Sequence, residues 1–482
     1  MNATATSQEK TITTDGNSAQ ELQDADAHGL APIPDSLRTS TASAQFWIWC
    51  GANVAPINWV LGALGIELGL SLTDTIAALV VGNLIGMSLF GAFVLMGQRT
   101  AVTQMVLSRG AFGRRGAYLP ALIQGLMSAG WCAINTWIVL DLVMALLGML
   151  GFHGGTITRM VIVVLVMSIQ TVIAVRGFAW IAKFEKYTVP VTLVILLAMT
   201  VVAWTQLGVH WNFAGEALSG VSRWSAMSTV MTAIGIGWGI TWFAYASDYS
   251  RFTPRSMPAR KLFLASALGQ FIPVIWLGVF GATLATITQT ADPGELVVGA
   301  FGILAVPVLL LVLHGPVATN ILNIYSCTLA AQTLDWRVSR RLIAIVVGVL
   351  AAGFTLYLVF DTQLASSLDT WLGGLVTWVA PWGGIMLVHH YIVEKGAVDV
   401  PALFDPPGRS RLGDIRWPGL IAFFAGIAAT WCFEFGVPRF LQGPIASALG
   451  GIDLSWLAGL LVAGVSYYIL ATITNQKAKA TK

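Results

Sequence analysis

Two short spacings carry the side chains best suited to grip a flat polar ring. Trp131 and Asn135 stand four residues apart, and so do Thr319 and Asn323, with Asn320 between them. On a helix, positions four apart share one face, about 6 Å apart along the axis. Trp238 and Trp242 repeat the same spacing. An aromatic face stacks on a planar base for about 1–3 kcal/mol. A carboxamide donates and accepts at once, so it matches a ring edge carrying both C=O and N–H. This is the chemistry of recognition, with no bond made or broken. The same residues have plainer uses. Most of the 19 tryptophans must serve as interfacial belts or packing, and an asparagine inside a membrane helix also joins helices.

Ionisable groups are few within the apolar runs. Asp141 lies toward the outer end of the third run and His314 in the first part of the eighth. Glu185 sits between Lys183 and Lys186 before the fifth. Such groups at membrane depth mark function by default. Asp248 and Arg251 are three apart at the inner end of the sixth run, where an i,i+3 ion pair is the simpler reading. Cys50, Cys132, Cys327 and Cys432 each stand alone in apolar sequence and read as small buried side chains.

The elements that position these residues follow from composition. The hydrophobic class makes up 56% of the 482 residues and charged residues 10%, against about 25% charged in a soluble domain. The surplus of apolar surface requires lipid as its solvent. A helix crosses the hydrocarbon core in about 20 residues. Apolar runs of that kind fall near 43–66, 76–96, 118–149, 158–176, 188–207, 228–247, 262–288, 299–327, 342–360, 371–393, 418–436 and 455–474. These predict twelve spans, the third and eighth long enough to tilt. With the N-terminus in the cytoplasm, 23 of the 26 Lys and Arg residues lie inside, as the positive-inside rule demands. Residues 1–40 and 476–482 then read as cytoplasmic tails, the first polar and disordered. The basic residues sit in short loops, so nothing points to nucleic acid.

Two spans make poor continuous helices. The first contains Gly51-Ala52-Asn53-Val54-Ala55-Pro56, and Pro56 lacks an N–H and clashes with the preceding turn. The sixth contains Gly235-Ile236-Gly237-Trp238-Gly239. Irregular backbone at membrane depth is tolerated where it is buried or lines a cavity. Interruptions at matching places in two halves point to inverted repeats around a midplane site. The first and sixth spans match if each repeat has five helices, about 43–207 and 228–393, with two helices added over about 418–474.

Four stretches resemble the nucleobase–cation symporter-1 family, in its purine–cytosine permease branch. They are GALGIELGLSLTD from Gly62 with Gly82-Asn83; QMVLSRGAFGRRGAYLPAL from Gln104, leading to Gly130-Trp131 and Asn135; ASDYSRF from Ala246; and NIYSCTLAAQTL from Asn323. The likeness runs from about residue 45 to 400. It implies an all-α polytopic membrane protein with twelve transmembrane helices and a LeuT-type 5+5 inverted repeat, helices 1 and 6 broken. It also implies a base held between Trp131 and Trp242. Asn135 and Asn323 match positions that hydrogen-bond the base edge, and Asn320 matches a polar position of the same span. Glu185 matches a glutamate linked to transport in the fungal branch.

A sodium site in that architecture would take backbone carbonyls of the first-span break, Gly51 and Val54, with hydroxyls from span eight. Sodium-coupled relatives place two adjacent hydroxyls there, and here the pair reads Ala318-Thr319. Losing an oxygen ligand weakens a hard-cation site, so the reading favours protons over sodium, with Glu185, His314 and Asp141 as titratable candidates. A second departure, Gly239 and Thr241 where some bacterial cytosine carriers place an aromatic and a serine, leaves the substrate open among related heterocycles. The expected function is import of cytosine or a purine by cation symport across the cell membrane, without a cofactor. Spans 1, 2, 6 and 7 would move against 3, 4, 8 and 9. A carrier of allantoin, hydantoin, a nucleoside or a vitamin precursor is the alternative within the family, and the oligomeric state is left open. A membrane enzyme would need clustered ligands, and His389-His390 is the sole such pair. A channel need not break two symmetric helices.

Overall fold

Among the described residues, every apolar run of the sequence contains helix in the computed structural model. The structure describes residues 29–480 apart from 176–177, 291, 307–308, 310–313, 337, 362–363, 437–438 and 440–441. Span one is Ala42–Asn53 and Ile57–Glu67, and span two is Leu72–Thr100. Spans three, four and five are Tyr118–Met149, Thr156–Val175 and Phe178–Gln206. Span six is Gly220–Ser250, and span seven is Ala259–Thr288. Spans eight, nine and ten are His314–Thr333, Arg340–Asp361 and Leu364–Leu387, the last prolonged by a π-helix over Val388–Val393. Spans eleven and twelve are Trp417–Phe433 and Ser455–Ala480. The twelfth continues past the expected boundary of the C-terminal tail.

The break in span one falls where proline requires it. Val54 leaves helical geometry at φ −82°, ψ 72°, and Pro56 caps the restart at Ile57. The Asn58 side chain donates to the Asn53 carbonyl at 2.6 Å, satisfying one of the orphan acceptors at the helix end. Span six is distorted instead of unwound. It passes from α-helix into a π-helix over Met231–Ile236, an α-turn over Gly237–Thr241, a 3₁₀ turn over Trp242–Tyr245 and α-helix again over Ala246–Ser250. Its glycines allow close contact: a Cβ on Gly239 would lie 2.5 Å from the Gly86 carbonyl carbon of span two. Gly239 is therefore packing, and no aromatic side chain fits there.

Two expectations change. The eighth run is not one long helix, because a short helix over Pro293–Phe301, capped by Asp292 and started by Pro293, precedes span eight. Residues 29–40, expected within the tail, are held to the helices at two points: Ile33 and Arg38 are buried, and Arg38 Nε donates to the Thr253 carbonyl at 2.9 Å. Residues 1–28 lie outside the described residues.

Span three packs along span eight, span seven along spans one and two, and spans eleven and twelve along span ten. One end gathers Arg114, Asp335 and Asp405; the other gathers Asp74, Arg223 and Asp453. That division is the one an even number of crossings between these loops predicts.

Candidate functional site

Span three meets span eight through one buried polar knot. Asn320 Nδ2 donates to the Cys132 carbonyl at 2.9 Å, to Gln170 Oε1 at 2.9 Å and to Thr136 Oγ1 at 3.2 Å. A backbone carbonyl can only accept, so the Asn320 amide nitrogen must face this side. Its Oδ1 is then turned to Asn135, whose Nδ2 donates to it at 3.0 Å. The chain of bonds fixes both amides and leaves the Asn135 carbonyl oxygen as an acceptor on the other side. Asn320 thus holds Asn135 and is not among the residues that line the cavity beyond, where a contact with substrate was expected of it. Gln170 of span four completes the knot, and sequence spacing gave no sign of it.

The cavity lies between spans three, six and eight. Trp131, Asn135, Trp238, Thr241, Trp242, Tyr245, Thr319 and Asn323 line it. The tryptophans are nearly closed off from solvent, with Trp131 and Trp242 each 6% exposed. Trp131 meets Trp238 edge to face, with ring centroids 5.4 Å apart. Trp242 is held by Trp49 at 5.6 Å and Tyr245 at 5.5 Å. Tyr245 is fixed in turn by a 3.0 Å hydroxyl contact with Ser128. Trp242 Nε1 is buried without a partner among the described residues, and Asn135 and Asn323 stand on the same cavity wall. A buried N–H without a partner is costly.

The first-span break abuts this wall. A Cβ on Gly315 would lie 2.9 Å from the Val54 carbonyl oxygen, so only glycine lets span eight approach so closely. Thr319, one turn on, donates its hydroxyl to the Gly315 carbonyl at 3.1 Å. Val54 and Thr319 are therefore neighbours of one Gly315 turn, whereas the Gly51 carbonyl accepts the Val54 N–H at 3.4 Å. The side chains of Glu185, His314 and Ala318 lie outside the described residues.

Asp248 does not pair with Arg251. Its Oδ1 accepts the Gln104 N–H at 2.9 Å at the start of the short helix Gln104–Phe112, and Arg251 donates to the Gly29 carbonyl at 2.9 Å. Gln104 Oε1 accepts from Ser247 Oγ at 2.6 Å, so two of the family-like stretches are locked together. Nearby, Asp335 ends span eight in the left-handed region, at φ 60°. Its carboxylate accepts from Arg114 at 2.7 Å and from Tyr118. Burial pushes the Asp335 carboxyl up, but these bonds and the Arg114 and Arg109 charges hold it below its ordinary value. His389 bonds Tyr467 at 2.8 Å inside the π-helix of span ten, far from any ligand cluster among the described residues.

A bundle that is all-helical among the described residues, with a broken first helix, a distorted sixth and a polar-aromatic cavity between spans three, six and eight, is the architecture of a membrane carrier. Its fold is that of Mhp1, a nucleobase-cation-symport-1 family transporter solved closed with bromovinylhydantoin bound. The match has a TM-score of 0.74 at 18% identity, over 93% of this chain and 96% of that one. The architecture is therefore the twelve-helix LeuT type with its 5+5 repeat. Residues 32–459 match the family model described as permease for cytosine/purines, uracil, thiamine, allantoin, and the chain belongs to that family. It is similar to the Bacillus subtilis protein YxlA, which carries a provisional purine-cytosine permease name, at 28% identity over 91% of this chain and 94% of that protein. It is also 24% identical to the purine-cytosine permease fcyB of Emericella nidulans, over 92% of this chain and 87% of that protein. The protein is thus a multi-pass membrane permease and not an enzyme.

Proposed function

We propose that this permease imports a nucleobase, cytosine or a purine, across the cell membrane by cation symport, with both termini cytoplasmic. The carrying observation is one cavity lined by Trp131, Trp238 and Trp242 together with Asn135 and Asn323, beside a Trp242 Nε1 that is buried without a partner. A base supplies flat faces for the tryptophans and alternating donors and acceptors for the amides. Trp131 and Trp238 stand edge to face now; a ring entering between Trp131 and Trp242 stacks on the face that Trp131 turns to the cavity. The family relatives named for purines and cytosine support this choice among ring systems.

For coupling, Thr319 and the Val54 carbonyl sit at the meeting of spans one and eight and would supply oxygens to a sodium ion. One hydroxyl where sodium-coupled relatives have two makes a weak hard-cation site, so protons are the favoured coupling ion. The repeats over about 43–207 and 228–393 would supply alternating access, with spans one, two, six and seven moving against three, four, eight and nine.

Uptake of labelled cytosine, adenine, hypoxanthine, uracil and allantoin into proteoliposomes tests the reading, with sodium and proton gradients imposed separately. Saturable uptake of cytosine or a purine, persisting without sodium and collapsing with a protonophore, is expected. Uptake of allantoin or uracil alone would overturn the substrate, and strict sodium dependence lost in Thr319→Ala would overturn the ion.

A further inference from the structure

The outer half of span six is gripped along one face. Ser225, Ser228 and Thr232 lie three and four residues apart, and each bonds the turn that enters span twelve. Ser225 Oγ donates to the Gly451 carbonyl at 2.7 Å, the Asp453 N–H donates to Ser228 Oγ at 2.9 Å, and Thr232 Oγ1 donates to Asp453 Oδ1 at 3.1 Å. On another face Arg223 Nε donates to Asp74 Oδ2 of span two at 2.8 Å in a two-pronged pair.

Asp453 is the centre of the grip. It is 2% exposed, and a buried carboxylate persists only when donors surround it. Besides Thr232, Oδ1 accepts from Ser455 Oγ at 2.7 Å and Ser455 N at 3.0 Å, at the start of span twelve. Oδ2 accepts from the Phe435 N–H at 2.8 Å, at the end of span eleven. One side chain therefore joins spans six, eleven and twelve. Gly451, at φ 89°, brings the turn so close that a Cβ would lie 2.7 Å from Ser225 Oγ.

The grip stops at the π-helix. Thr232 is its second residue, and every span-six residue that lines the cavity, Trp238, Thr241, Trp242 and Tyr245, lies beyond its end at Ile236. A π-turn inserts an extra residue and weakens the helical ladder, and such bulges concentrate at functional sites. We propose that spans eleven and twelve brace the outer half of span six through Asp453, making Met231–Ile236 the hinge on which the cavity wall turns during transport. Asp453 is then a positioning residue acting through span six. The proposal rests on the transport reading above, but its hinge is measurable without substrate.

Asp453→Asn keeps the size of the side chain and, whichever way the amide turns, sets its N–H against a backbone N–H, of Ser455 or of Phe435, that can only donate. Hydrogen exchange on the purified full-length protein should show the amides of Ser228–Ile236 opening about tenfold faster, with span three unchanged. Uptake per folded molecule should fall about tenfold while the Kd for the transported base shifts by less than about threefold. Thr232→Val removes the contact from the other side and should give part of both effects; the double variant should be no worse than Asp453→Asn alone, because the two share one interaction. If Asp453→Asn does not fold, Thr232→Val carries the test. Unchanged exchange at Ser228–Ile236, exchange that quickens throughout the protein, or additive losses in the double variant would each overturn the brace. A wild-type protein that takes up none of the bases overturns the substrate reading and leaves the exchange result to decide the brace.

Discussion

The indole N–H of Trp238 donates to the side-chain carbonyl of Asn53 at 2.6 Å, joining the distorted span six to the last helical residue before the break in span one. Asn53 is fully buried, and its own Nδ2 donates to the Trp49 carbonyl at 2.7 Å. Trp238 also packs on Trp131. One ring thus reports the position of span one to the cavity wall of span three.

Trp238→Phe keeps an aromatic side chain, smaller than the indole, and deletes the N–H. A buried carbonyl left without its donor costs about 1–3 kcal/mol, so the thermal unfolding midpoint should fall. Asn53→Ala should lower it too, and the double variant should fall short of the sum. Additive effects in that cycle would show that the bond carries no coupling.

Asn320 and Asn323 should behave differently although three residues separate them. Asn320→Ala unties Asn135, Gln170 and the Cys132 carbonyl, and should weaken every base alike while lowering stability. Asn323→Ala removes a carboxamide from the cavity wall. It should change the ranking among bases, with about 1–3 kcal/mol lost for those that use it. Competition of unlabelled bases against one labelled substrate reads the ranking; a uniform loss in Asn323→Ala would make it a packing residue.

The lock around Asp335 should fail in acid. The folded-state Asp335 carboxyl is held below its ordinary value by Arg114, Tyr118 and Arg109. A depressed carboxyl contributes stability that is fully present above its unfolded pKa and is lost as pH falls through the folded one. At neutral pH Asp335→Asn should cost about 1.5–3 kcal/mol, as for hydrogen bonds to charged groups. Unfolding midpoints of wild type and variant should converge as pH drops below the ordinary carboxylate range. A constant gap down to strongly acidic pH would contradict this.

Much of the fold was legible because lipid imposes simple rules. Run length defines twelve spans, and Pro56 locates the first break to the residue. The glycines of span six marked the right segment but not its form, since a π-bulge depends on packing against Gly86 and the loop around Asp453. The site was half legible. Helical spacing brings Trp131, Asn135, Thr319 and Asn323 onto facing walls. The same spacing could not tell Asn320 from Asn323, because which face of span eight meets Gln170 is settled by span four. Tyr245 escaped notice because a 3₁₀ turn, with its tighter winding, swings it onto the face of Trp242.

Orientation is checked from outside the cell. Gly155 is exposed between spans three and four, with nothing within 4 Å of a Cβ placed there. Arg409 is exposed between spans ten and eleven. In intact cells an impermeant thiol reagent should label Gly155→Cys and spare Arg409→Cys, because basic loops resist translocation. The reverse pattern would invert the topology. Gly110 is unsuitable as an inner probe: its Cβ would lie 2.4 Å from His389 Nε2.

The most direct test is equilibrium binding of cytosine and adenine to the purified protein in detergent, wild type against Trp131→Ala, with folding of both verified by thermal unfolding. If the base stacks in this cavity, wild type binds at least one of them, and loss of the Trp131 face weakens binding about 5- to 150-fold, the equivalent of 1–3 kcal/mol. Wild-type affinity in a folded Trp131→Ala protein would contradict the account, since the base would then be held elsewhere.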